Sequence, residues 1–234
     1  MNQLKFHINR NRNNIHRRFK MARKNFKYIL YIVGCVLFSL GATLFICSNL
    51  GTNPLDVFTT GVRNHTGLLI GTTQSLFAIV CLIIWTIIYK FKKVPPISTF
   101  LTFFLCGYLI DFFLFLSGEQ TPLNSWVELA IALFLCTEAS ALIIMSGFGI
   151  RAMDLVAIAF TDKTGFPFWV YKGIAEVLLF SVGWALGGMF GIGTIAFLFF
   201  VGWMIQPFIY VNRKLGVPNY GPVGIHKRLK SEVL

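Results

Sequence analysis

A chain of 234 residues that is 56% hydrophobic, carries 25 Phe and has only 13% charged residues lies outside the composition of water-soluble domains, where about a quarter of residues are charged. It belongs in a bilayer. The net charge of +12 would suit nucleic acid, but the basic residues gather at the ends of apolar runs, so the cytoplasmic retention of Lys and Arg and their attraction to anionic lipid account for it, and nucleic acid is not expected as a partner.

Residues 1–25 form a basic arm, and nine Lys and Arg run from Lys5 in the arm to Lys27 just beyond it, with no acid among them. Leu4, Phe6, Ile8, Ile15 and Phe19 are interspersed, which suits either a partial helix on an anionic lipid surface or a disordered segment. Six runs then reach the length of about 20 mainly apolar residues that a helical span needs: Phe26 to Leu50, Gly71 to Tyr89, Ile97 to Ser117, Ser125 to Phe148, Phe166 to Gly187, and Gly193 to Val211. The first is too long, and lacks the cleavage site, for a removable signal peptide. A basic tail occupies 213–234. With the amino terminus inside, alternation places every basic residue except Arg63 and Lys172 on the cytoplasmic side, including Lys90, Lys92, Lys93, Lys163 and the tail. Six spans with both termini cytoplasmic satisfy the positive-inside rule.

The spans divide into two related halves, 26–118 and 119–212. At an offset of 98 positions Gly51 falls on Gly149, Asp56 on Asp154 and Gly67 on Gly165; at 95, Ile97 falls on Ile192, Thr99 on Thr194, Gly107 on Gly202 and Asp111 on Gln206. Three spans per half make the second half enter from the opposite side, so the fold class is an all-α polytopic membrane protein built as two inverted three-helix repeats. After the first span of each half comes a glycine break, Gly51 or Gly149, and a short run, Gly51-Thr52-Asn53-Pro54-Leu55-Asp56 or Gly149-Ile150-Arg151-Ala152-Met153-Asp154. Each reads as an interrupted or re-entrant segment, tolerable at membrane depth where protein or water satisfies its backbone; a surface helix is the rival reading. Asn53 and Pro54 suit a helix cap and first helical position.

Ionisable groups at membrane depth are costly and are default candidates for function. The substrate pathway is assigned to Asn53, Asp56, Gln74, Arg151, Asp154 and Lys172, and a coupling proton to Glu138 or Glu176, since burial favours the neutral carboxyl. Lys172 and Glu176 share one helix face and can neutralise each other; Glu138 has no local partner, and Lys172 or Arg151 could reach it. Gly183 and Gly187 form a small-residue face for close helix packing. The five cysteines lie in spans without paired spacing and the four His are scattered, so neither metal nor cofactor is expected. No nucleophile stands with a base and an acid, and an enzyme is not expected.

The chain resembles the YczE/YyaS/YitT group of bacterial integral membrane proteins, the YczE-like branch most closely. The resemblance covers about residues 28–212 and rests on Gly51-Thr52-Asn53-Pro54-Leu55-Asp56-Val57, Gly67, Gly71-Thr72, Gly107, Asp111, Gly147, Gly149, Asp154, Gly165, Glu176 and the run Gly187 to Thr194. It implies a multi-pass protein of the bacterial cytoplasmic membrane, suspected of transport. The leading expectation is a secondary transporter or permease for an unidentified small solute. The alternative is a non-transporting scaffold or accessory protein whose basic arm recruits lipid or a partner; a homo-oligomer fits either.

Overall fold

The computed structural model describes residues 2–91, 97–118, 121–149 and 151–220, and their side chains apart from those of 2–24 and 97. Lys92, Lys93, Ile150, the tail beyond Tyr220 and the side chains of the arm lie outside the described residues. Among the described residues there are eight helices and no strand: α1 (Asn2–Ser48), α2 (Pro54–Thr66), α3 (Ile70–Ile88), α4 (Ile97–Ser117), α5 (Ser125–Ser146), α6 (Ala152–Thr164), α7 (Phe168–Ala185) and α8 (Ile192–Lys214). Six stretches are long and apolar enough to cross a membrane: Asn25–Ser48, Ile70–Ile88, Ser98–Ser117, Ser125–Ser146, Phe168–Ala185 and Ile192–Lys214. They coincide with the six expected runs. The fourth ends earlier than expected because Gly147 turns left-handed (φ 64°) and caps α5, and the sixth runs through Pro207 to Lys214. The backbone of the arm is helical and continuous with the first span.

The two glycine-led segments are helices of 13 residues each, α2 and α6. At about 1.5 Å per residue, each is about two-thirds of the length of a hydrocarbon core roughly 30 Å thick. Asn53 caps α2, its side-chain oxygen accepting from the Asp56 N–H (3.1 Å), with Pro54 at the first helical position. Both helices stop at a left-handed glycine, Gly67 (φ 68°) and Gly165 (φ 77°), whose N–H returns to the carbonyl of Arg63 or Thr161. Asn124 caps α5 similarly, by accepting from Trp126 N–H at 2.9 Å.

α1 and α5 form the antiparallel centre. Gly34 meets Ala139 and Ile143, and Gly41 meets Ala132 and Cys136, so small residues let the two backbones approach. α4 lies on α1, α8 on α5, α2 on α7 and α3 on α6. Where α2 crosses α7, a methyl group on Gly61 would meet Gly183 O, one on Gly183 would meet the backbone of Val57 and Phe58, and one on Gly188 would strike Val57 O. α3 and α4 are locked together where Gly71 abuts Gly107 and where Asp111 accepts the N–H groups of Ile70 (3.0 Å) and Gly71 (2.6 Å), supplying from α4 the cap that α3 lacks. In the second half Gly202 meets nothing within 4 Å, Gln206 is exposed, and α7 and α8 have no comparable packing.

Two connections meet along their backbones, with two side chains of α2 joining them. Gly193 N–H donates to Leu50 O (2.7 Å), Thr52 N–H to Met189 O (3.3 Å), Met189 N–H to Thr60 Oγ1 (3.2 Å) and Asn64 Nδ2 to Gly187 O (2.8 Å). The link from α1 to α2 thus exchanges hydrogen bonds with the link from α7 to α8, and each satisfies groups that the helix ends leave open.

Two outcomes follow for thermal unfolding in detergent. Gly183→Val should lower stability by about 1–3 kcal/mol through overpacking, whereas Gly173→Ala, at a helical glycine with open space around it, should be neutral or slightly stabilising. Asn124→Ala should cost about 1 kcal/mol as a simple cap loss; Asn53→Ala should cost at least twice that, because it also strips a donor from the buried Asp56 carboxylate. Equal losses at the two caps would contradict the burial of the Asp56 site.

Candidate functional site

The N-terminal ends of α2 and α6 open on one cavity. Its volume is about 130 Å³, it is partly open, and its wall takes residues from α1 to α6 and from α8. Asn53 and Leu55 enter it from the start of α2, and Arg151, Met153 and Asp154 from the start of α6, with Gly149 just before. Gln74, Thr102 and Ser140 add polar groups, while Phe38, Phe103, Ile143, Phe197 and Ile205 make most of the remaining surface apolar. A chamber mostly apolar, with a few placed polar groups, is the usual character of a small-molecule site.

Arg151 and Asp154 form the charged pole. The guanidinium grips the carboxylate through Nε (2.9 Å to Oδ2) and Nη2 (3.3 Å to Oδ1), and the two side chains keep 32% and 19% of their surface accessible. This pairing uses two of the five N–H donors of Arg. Local geometry explains it: Arg151 is the residue before α6 and Asp154 lies in its first turn, where a carboxylate also suits the positive end of the helix.

Asp56 stands behind the wall at zero exposure. Asn53 Nδ2 donates to its Oδ2 and Gln74 Nε2 to its Oδ1 at 2.8 Å. Two amides thus hold a buried carboxylate that has no cationic partner among the described residues.

Of the residues singled out from sequence, Asn53, Gln74, Gly149, Arg151 and Asp154 meet at the cavity, and Asp56 is bonded to two of them. Gly51 sits at the crossing of the two links. Lys172 and Glu176 pair with each other at 3.7 Å, as their spacing implied, but do not line the cavity. Glu138 is reached neither by Lys172 nor by Arg151: Asn212 Nδ2 donates to both its carboxylate oxygens, at 2.8 and 3.0 Å. The partner was hidden because it lies 74 residues away on α8. Sequence reading also missed Thr102, whose hydroxyl meets Tyr31 OH at 2.8 Å, Ser140 and the apolar wall, since a Phe that lines a chamber and one that faces lipid look the same in a span. All five cysteines are free thiols, and among the described residues no three His, Cys, Asp or Glu side chains gather as metal ligands.

Residues 25–210 match the family described as "Family of unknown function (DUF6198)". The chain is similar to YyaS of Bacillus subtilis, with 27% identity over 187 residues, 78% of this chain and 92% of that protein. It is similar to the membrane protein YczE of the same organism, with 28% identity over 183 residues, 77% and 84% of the two chains, and to a protein of Haemophilus influenzae at 22% over 180 residues, 76% and 81%. No solved structure matches. The family match spans all six apolar helices but for the last residues of α8, and the chain is therefore a multi-helix membrane protein that belongs to the DUF6198 family, with YyaS and YczE among its relatives.

Proposed function

We propose that the protein is a secondary transporter or permease for a small solute, built as two inverted repeats, 26–118 and 119–212, in the bacterial cytoplasmic membrane with both termini inside. The observation that carries this reading is the cavity between the halves on which the starts of α2 and α6 converge. Transporters of inverted-repeat design place their sites where broken helices meet near the midplane. The helix pairings support the repeat: exchanging the halves turns α1 on α4 into α5 on α8, α2 on α7 into α6 on α3, and α2 on α3 into α6 on α7. Their equal lengths and left-handed glycine ends support α2 and α6 as the re-entrant pair.

In this reading Arg151 and Asp154 present the charged contacts to the solute, Asn53 and Gln74 the neutral ones, and Asp56 anchors both amides. Glu138 and Glu176 are held by Asn212 and Lys172, so a coupling proton on either acid weakens a contact that its charged form makes. The basic arm holds anionic lipid at the cytoplasmic surface.

Uptake by proteoliposomes, screened with labelled amino acids, sugars and organic acids, tests the proposal. For a solute that enters above the level of empty vesicles, Arg151→Gln and Asp154→Asn should each lower the initial rate by about ten-fold or more, with unchanged elution of the folded protein. Wild-type rates in both variants would refute the pathway, and no entry of any solute would favour a scaffold.

A further inference from the structure

Thr52 and Thr194 are fully buried, at 0% and 1% exposure, and neither hydroxyl oxygen has a hydrogen-bond partner. Such orphans in a packed interior call for an unseen occupant, an ion or a water. The two belong to one place. Thr52 follows Gly51, and a side chain on Gly51 (φ 102°) would come within 2.8 Å of Thr194 Oγ1. A side chain on Gly193 would stand 2.6 Å from Gly51 O and 3.0 Å from Leu50 O. Three glycines, Gly51, Gly191 and Gly193, therefore press the carbonyls of an unwound link against the first turn of α8. The N–H groups of Gly193 and Thr194 are already engaged, with Leu50 O and Gly191 O. The carbonyl of Gly51 therefore lies at the same crossing as the first turn of α8 that carries Thr194.

We infer that the crossing of the α1–α2 and α7–α8 links is a monovalent-cation site, selective for Na⁺, with Thr52 Oγ1, Thr194 Oγ1 and the carbonyl of Gly51 as its donors. Unwound backbone carbonyls in broken membrane helices coordinate Na⁺ in this manner. Divalent cations draw on several carboxylates or keep much of their water, whereas these donors are neutral. The balancing charge is at hand in Asp56, four residues beyond Thr52 and without a cationic partner among the described residues. The repeat supplies a second observation: Thr99, which falls on Thr194 at the 95-residue offset, is also fully buried with an orphan hydroxyl.

The site lies outside the cavity but next to it. Asn53 is adjacent to Thr52 and Phe197 is one turn beyond Thr194, and both line the chamber. A bound cation would fix the start of α2 against α8 and so join the two halves across the chamber. The binding claim stands apart from transport and is measured without it.

The test is the unfolding temperature of the full chain in detergent, titrated with NaCl against choline chloride at constant ionic strength, with KCl in parallel. Na⁺ should raise it saturably, as a ligand of the folded state does, and K⁺ should do so at least ten-fold less potently. Thr52→Val and Thr194→Val should each weaken the Na⁺ response at least ten-fold while leaving the unfolding temperature in choline unchanged or higher, because an orphan hydroxyl has been removed. No Na⁺ response in the wild-type protein, an equal response to K⁺, or an undiminished response in both variants would overturn the site and leave buried water as the occupant. Equilibrium binding of ²²Na⁺ to the wild-type protein gives a readout independent of the variants: saturable binding of one ion per chain supports the site, and its absence overturns it.

Discussion

In a membrane every backbone N–H and C=O has to find its partner inside the protein, and most of this architecture follows from how that demand is met where helices break. An unpartnered group in hydrocarbon costs several kcal/mol, so a link such as Leu50 to Asn53 persists only because another backbone lies against it. Here the Gly187 to Gly193 link does so, and the approach is close enough that Gly51, Gly188, Gly191 and Gly193 leave no room for a side chain. Asn53, Gly67, Gly147 and Gly165 close other helix ends from within the chain, and Asp111 closes α3 from a neighbouring helix. The glycines so prominent in the sequence are thus the condition for having short helices at all.

Once short helices are tolerated, a chamber follows. A helix that stops after 13 residues leaves the space beyond its end to be filled by something else. At the starts of α2 and α6 that space is the cavity, and the groups left facing it are those the local sequence puts at a helix start: an amide cap in one half, an Arg–Asp clasp in the other. The two halves meet the same geometric need with different chemistry. The chamber therefore has a neutral pole at Asn53 and Gln74 and a charged pole at Arg151 and Asp154. Outside the chamber the halves diverge further, since α3 and α4 are clamped by Gly71, Gly107 and Asp111 while α7 and α8 stand apart.

What the sequence made legible was whatever depends on neighbours in the chain. Span lengths, the Asn53-Pro54 start and the Lys172–Glu176 pair are all local consequences of spacing, and the structure has each of them. Asp56 was visible as a costly buried acid, and its partner Gln74 as a polar residue in a span. What was illegible depends on tertiary contact. Nothing near Glu138 announces Asn212, and nothing in Gly202 distinguishes it from Gly107, although one faces open space and the other abuts Gly71. Phe38, Phe103 and Phe197 line the chamber while Phe115 and Phe199 are left exposed, and hydropathy cannot separate the two groups. The orphan hydroxyls of Thr52 and Thr194 were beyond reach for the same reason, since lack of a partner is a property of the fold.

The central claim is that the starts of α2 and α6 face one water-accessible chamber within the membrane. It is tested most directly by introducing Leu55→Cys and Met153→Cys, each alone, into a variant lacking the five native cysteines, and measuring the rate of reaction with a membrane-impermeant thiol reagent. Both should react, while Phe45→Cys, at a fully buried position on α1, should not. If neither position reacts faster than Phe45→Cys from either side of the membrane, the short helices do not open on an aqueous chamber and the account is contradicted.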